Sequence, residues 1–124
     1  MTVVDDLTTA AATGSTAHVA RLLREGAEVN AVNRFGRSAI QVMMMGSTPV
    51  AELLLTHGAD PNVADTSTGR TPLHDAASAG FVDTVRLLVK HLADPQVRDK
   101  AKCRPADLAR ERGHKEVVAF LESL

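Results

Sequence analysis

The chain has 124 residues with three Phe and no Trp or Tyr, so one domain with a modest core of Leu, Val and Ala is the expectation. A net charge of −1 with no basic stripe argues against a nucleic-acid partner, and the apolar runs fall well short of the ~20 residues that cross a bilayer. The first residues lack the basic and apolar regions of a secretion signal, and the single Cys103 has no internal disulfide partner, which fits a reducing compartment.

In chain order, Asp5 or Asp6 is placed to cap a first helix through Ala12, Gly14 turns the chain, and Thr16 to Glu25 reads as a second, amphipathic helix. The turn Gly26-Ala27-Glu28-Val29-Asn30 then leads to a finger at Asn33-Arg34-Phe35-Gly36. The next helix is irregular. Ala39 to Gly46 is seven residues, whereas Pro72 to Gly80 and Pro105 to Gly113 are eight. Met43 and Met44 also stand where the best-formed copy has Ala76 and Ala77, and that extra bulk at a close-contact position costs about 1–3 kcal/mol. Deletion and bulk together predict a shortened or distorted helix, down to a single turn. Successive residues rotate by about 100° on a helix, so Met43, Met44 and Met45 cannot all face one core, and at least one belongs at or near the surface. Core filling and a soft partner contact both remain open for them. His57, before Gly58, suits a helix C-terminus.

The finger Asp65-Thr66-Ser67-Thr68-Gly69 is one residue longer than its predecessor. Thr71 then offers a capping hydroxyl, and Pro72 takes the first helical position, where no amide donor is missed. His74 is within reach of Thr71 and of a neighbouring loop. Ala76-Ala77 make a thin helix side, Gly80 ends the helix, and Asp83 to Lys90 reads as a second amphipathic helix. Asp75 is either a solvated acid favoured by the helix N-terminus or a contact for a basic group on a partner. A fourth copy keeps Arg104-Pro105-Ala106-Asp107-Leu108-Ala109 and Gly113, and its polar residues suggest a closing cap.

The inter-helix glycine recurs as Gly14, Gly46, Gly80 and Gly113, with Leu22, Leu54, Leu88 and Leu121 each eight places on. A period near 33 with Thr-Pro-Leu-His resembles the ankyrin repeat across essentially the whole chain. The expected fold is mainly α: a single-domain solenoid (1–124) of four helix-turn-helix repeats, roughly 5–32, 33–64, 65–98 and 99–124, joined by hairpin-like loops. Repeats one and two are expected to be the fragile ones. The five histidines show no metal-ligand spacing, no phosphate loop accompanies the glycines, and no nucleophile elbow singles out a Ser. No catalytic residue, metal or cofactor is expected, and a solenoid surface suits protein recognition.

Asn33-Arg34-Phe35-Gly36-Arg37, Ile40-Gln41-Val42-Met43-Met44-Met45-Gly46-Ser47, Val50-Ala51-Glu52-Leu53-Leu54-Leu55 and His74-Asp75-Ala76-Ala77 together resemble the ankyrin-repeat inhibitors of cyclin-D-dependent kinases. The Met-Met-Met stretch is the most specific feature, because it violates the general ankyrin pattern. The resemblance implies that repeats two and three grip cyclin-dependent kinase 4 or 6 beside its ATP cleft, misalign the kinase lobes and weaken cyclin D binding. It also implies a free monomer, found in cytoplasm and nucleus, that binds neither nucleic acid nor membrane. Carried over by position, it implies partner contacts from Phe35, Gln41, Val42, Met43, Asp65, Thr71, Asp75 and Asp83, with Asp75 paired to a kinase arginine. Ser78-Ala79 stands where close relatives carry an Arg-Glu pair, so some of their charge pairing is absent. The alternative is a general ankyrin adaptor that uses the same face for another protein.

Overall fold

The structure, a computed structural model, describes residues 3–124, with side chains described from Leu7 onward. The first helix already begins at Val3, so Asp5 and Asp6 lie within it and not at its expected cap, their side chains being outside the described residues. Eight helices are described: α1 (Val3–Thr13), α2 (Thr16–Arg24), α3 (Ala39–Val42), α4 (Thr48–Thr56), α5 (Pro72–Ala79), α6 (Val82–Lys90), α7 (Pro105–Glu111) and α8 (Lys115–Glu122). They pair as helix-turn-helix hairpins, as the period requires. Two compact units result, Met1–Asp60 with α1–α4 and Pro61–Leu124 with α5–α8.

Three first helices begin on the same bond. The side chain at the third helical position turns back and accepts the backbone N–H of the cap residue, satisfying a donor that the helix itself leaves unpaired. Gln41 Oε1 accepts from Ser38 N at 2.7 Å, His74 Nδ1 from Thr71 N at 3.1 Å, and Asp107 Oδ2 from Arg104 N at 2.9 Å. Three different chemistries thus fill one geometric role at intervals of 33 residues. The Arg104 backbone N–H, and then its guanidinium, hold the Asp107 carboxyl below its ordinary 3.8.

Within the first unit α1 packs on α2 and α3, and α2 and α3 pack on α4. Leu7, Ala11, Val19, Ile40, Val50 and Leu54 fill the interior with at most 1 % exposure. In the second unit α5 packs on α6 and α7, and α8 on α6 and α7, around Leu73, His74, Val85, Leu88 and Ala109. Ala76 and Ala77 are fully buried, which is the close approach that their small size permits.

Exit turns are joined by side-chain amides. Asn30 donates Nδ2–H to Gly58 O at 2.9 Å and accepts Asp60 N–H at 2.8 Å. Asn62 repeats the arrangement in the second unit, on Leu92 O at 3.1 Å and Asp94 N at 2.7 Å. At the residue that follows each second helix's C-cap, Gly26 and Gly58 adopt φ of 94° and 92°, which costs glycine little. Leu92 occupies the third such position at φ 73°, with 82 % of its surface exposed.

Left-handed backbone costs a residue with a Cβ about 1–2 kcal/mol, and glycine's extra freedom in the unfolded chain returns about half of that. Leu92→Gly is therefore expected to stabilise the protein by about 0.5–1 kcal/mol in urea denaturation. The lowered carboxyl at Asp107 gives a second test. A group whose folded value lies below its unfolded value supplies stability that is present above the unfolded value and lost as pH falls through the folded one. Asp107→Asn should lower the urea midpoint at pH 7, and the difference from wild type should shrink as the pH is taken below about 4.

Candidate partner-binding surface

In the first unit, the finger is closed by the Asn33 N–H to Arg37 O bond at 2.9 Å and flanked by an antiparallel bridge between Val32 and Ser38. Asn33 Oδ1 accepts the N–H groups of Phe35 and Arg37 at 2.9 and 3.2 Å, which fixes the tip. Phe35 projects from that tip with 67 % of its surface exposed and the Arg34 guanidinium 5.2 Å from its ring centre. A large aromatic on a rigid turn is a ready-made anchor for a partner's pocket.

The helix after the finger is a single turn of four residues, as the missing residue and the added bulk require. At Met43 the backbone leaves the helix for an extended conformation (φ −56°, ψ 155°), and Met44 N–H then bonds Ala11 O at 2.9 Å. The chain thereby avoids placing two methionines at close-contact helix positions. Met43 goes inward at 4 % exposure, Met44 stays 49 % exposed, and Met45 is half-buried. Part of Met44 lies over Gly14, where a Cβ would fall 2.9 Å from Sδ. Gln41 and Val42 are half-buried, and the Gln41 side-chain oxygen is already committed to Ser38.

In the second unit, Asp65 opens the longer finger. Its Oδ1 accepts Ser67 N–H at 2.7 Å and Thr68 N–H at 3.2 Å, while its backbone N–H bonds Arg70 O at 2.8 Å. Thr71 is 2 % exposed, with its hydroxyl 2.9 Å from His74 Nδ1. His74 is fully buried and reaches Cys103 O with Nε2 at 2.8 Å. Because Nδ1 accepts the Thr71 N–H, the ring proton sits on Nε2, and one imidazole ties the start of α5 to the following finger. Asp75, half-buried in the first turn of α5, has an interaction of its own within the chain. Asp83 is exposed in the first turn of α6, where the helix dipole favours a negative charge.

The expected contact residues therefore divide in three. Phe35 and Asp83 are exposed; Gln41, Val42, Asp65 and Asp75 are half-buried; Met43 and Thr71 have their side chains in the interior and shape the backbone around them. Met44 escaped sequence reasoning by position, because helical rotation alone does not say which of three methionines faces out. Among the described residues no group of three or more His, Cys, Asp or Glu could hold a metal ion, and no helix is long and apolar enough to cross a membrane.

Paired helices, left-handed turn glycines and amide-linked exit turns are the marks of an ankyrin-repeat protein, and the family pattern described as ankyrin repeats (3 copies) matches residues 7–99 and 58–123. The chain is 54 % identical over 119 residues to cyclin-dependent kinase 4 inhibitor B of Homo sapiens, covering 96 % of this chain and 86 % of that protein. It is 54 % identical over 117 residues to the protein of the same name from Rattus norvegicus, covering 94 % and 90 %. Against cyclin-dependent kinase inhibitor 2A of Homo sapiens, the identity is 52 % over 119 residues, covering 96 % and 76 %. The chain belongs to the family of ankyrin-repeat cyclin-dependent kinase inhibitors.

Surface and interior residues are separable by stability. Phe35→Ala should change the unfolding free energy by less than about 0.5 kcal/mol, as for other exposed side chains. Met43→Ala, a few residues away, should cost about 2–4 kcal/mol, because it empties a buried site. Urea denaturation of the two variants checks both values.

Proposed function

We propose that the chain is a protein inhibitor of cyclin-dependent kinases 4 and 6. It binds the kinase as a monomer through residues of repeats two and three, disfavours activation by cyclin D and blocks G1 progression, acting in cytoplasm and nucleus. The observation that carries this reading is the one-turn α3 that breaks off at Met43, beside a finger presenting Phe35. That departure from a regular ankyrin helix falls on the residues that resemble the kinase inhibitors most specifically, and the relatives' own names are those of kinase inhibitors. A regular α3 would carry a second turn where the chain instead runs extended at Met43 and leaves Met44 half in solvent.

In this reading the chain does no chemistry; inhibition comes from occupying the kinase. Phe35 supplies apolar area, where complete burial of such a side chain is worth about 1.5–3 kcal/mol. Gln41 and Val42 contribute from the short helix, and Asp65 and Asp83 from the longer finger and from α6. Met43 and Thr71 contribute through the backbone they hold. Asp75 pairs with an arginine of the kinase.

The test is a phosphorylation assay with purified cyclin-D complexes of each kinase. Inhibition at micromolar protein or below is the expected result; none at that concentration would leave a general ankyrin adaptor as the better description. Asp75→Ala should weaken inhibition by about 2–5 kcal/mol, the range for removing one partner of a buried interfacial charge pair. Its unfolding free energy, measured in parallel, separates lost binding from lost fold. Unchanged inhibition would remove Asp75 from the contact.

A further inference from the structure

The finger of the fourth repeat carries a concentration of positive charge that the net charge of the chain conceals. Residues 98–104 hold Arg98, Lys100, Lys102 and Arg104 against one carboxylate, Asp99, in a chain whose net charge is −1. Along the sequence these cations are separated by Asp99, Ala101 and Cys103, so they form no run; the fold gathers them on one turn. Asp99 N–H bonds Cys103 O at 2.9 Å, and Lys102 N–H bonds Asp99 O at 2.9 Å, closing the loop. The Asp99 carboxylate is turned inward at 2 % side-chain exposure. It accepts the N–H groups of Ala101 and Cys103 at 2.9 Å each and faces Arg70 Nε at 3.6 Å.

The negative charge of this finger is therefore spent inside it, and the positive charge is left outside. Arg104 is matched by Asp107 at 3.3 Å. Arg98, Lys100 and Lys102 are exposed and have no carboxylate partner among the described residues. Two of them are also held in place. Arg98 Nη1 donates to Lys102 O at 2.9 Å and Lys100 Nζ to Thr66 O at 2.5 Å, which fixes the cations on a rigid frame before any partner arrives. Lys102 itself adopts φ 66°, a left-handed conformation unfavourable for a side chain of its kind and retained at the tip of the charged turn.

We propose that this finger is a docking surface for an acidic patch on the protein partner, adding electrostatic steering to the contacts of repeat three. The inference rests on the kinase reading above. It adds a charge pattern of two signs within one unit: Asp75 and Asp83 on α5 and α6 call for cations on the partner, while Arg98, Lys100 and Lys102 call for carboxylates. A two-signed pattern fixes register, because a partner shifted or reversed on it meets like charges. Exposed cations of this kind act mainly on the association rate and lose their effect as salt screens them.

The experiment measures association and dissociation rates of the whole chain with purified cyclin-dependent kinase 4 or 6 at about 50 and 500 mM NaCl. The triple variant Arg98→Glu, Lys100→Glu, Lys102→Glu should associate about tenfold more slowly at low salt, with dissociation changed less than about twofold and the difference largely gone at high salt. Lys102→Glu alone, whose side chain makes no bond among the described residues, should show about a threefold slowing and keeps the test valid should the triple variant fail to fold. Association rates equal to wild type at low salt overturn this inference alone; absence of any wild-type binding overturns the kinase reading and this inference with it. Tighter wild-type binding to a short single-stranded oligonucleotide or to phosphatidylserine vesicles at matched salt, lost in Lys102→Glu, would also overturn the assignment to a protein surface.

Discussion

One backbone N–H, at the residue that caps each first helix after a finger, has to be satisfied where the helix cannot do it. Ser38, Thr71 and Arg104 each hand that proton to a side chain three residues on, an amide, an imidazole and a carboxylate in turn. This bond sets the direction in which each first helix leaves its finger, and so where the fingers stand. Its strongest form is His74, which satisfies the cap with one ring nitrogen and bonds the next finger with the other. A buried imidazole with both nitrogens engaged leaves no unpaired polar atom to penalise the packing.

Against that regular frame, α3 differs in where it stops. Its cap residue's N–H is satisfied as in the others, and the helix then ends after four residues. The departure arises from crowding: a missing residue and two large side chains at close-contact positions are accommodated by leaving the helix, while Ile40 and Met43 remain in the core. A local irregularity that is fully packed on one side and half-exposed on the other is a shape that a partner can read.

Much of this was legible in the residues. The glycines at 14, 46, 80 and 113 marked the hairpin turns, and Gly14, Gly80 and Gly113 have positive φ. The seven-residue interval from Ala39 to Gly46 announced the short α3, and the additional residue at Asp65–Gly69 announced the longer finger. Legibility failed where a residue's neighbours in space decide. Helical rotation does not sort Met43 from Met44 once the helix has ended before them. Leu92 looks in sequence like a decayed turn, and only its φ shows that it has inherited glycine's conformation. The cations of the last finger pass unnoticed beside Asp99 until that carboxylate is seen to point inward.

The fingers close on themselves through main-chain bonds and a single inward Asn or Asp, so the residues at their tips carry almost no responsibility for folding. Phe35 and Ser67 sit on frames that would form equally well with other side chains. Variation at these tips is therefore decoupled from viability of the scaffold, and a lineage of such proteins is free to diversify its recognition at the fingertips while inheriting its architecture unchanged.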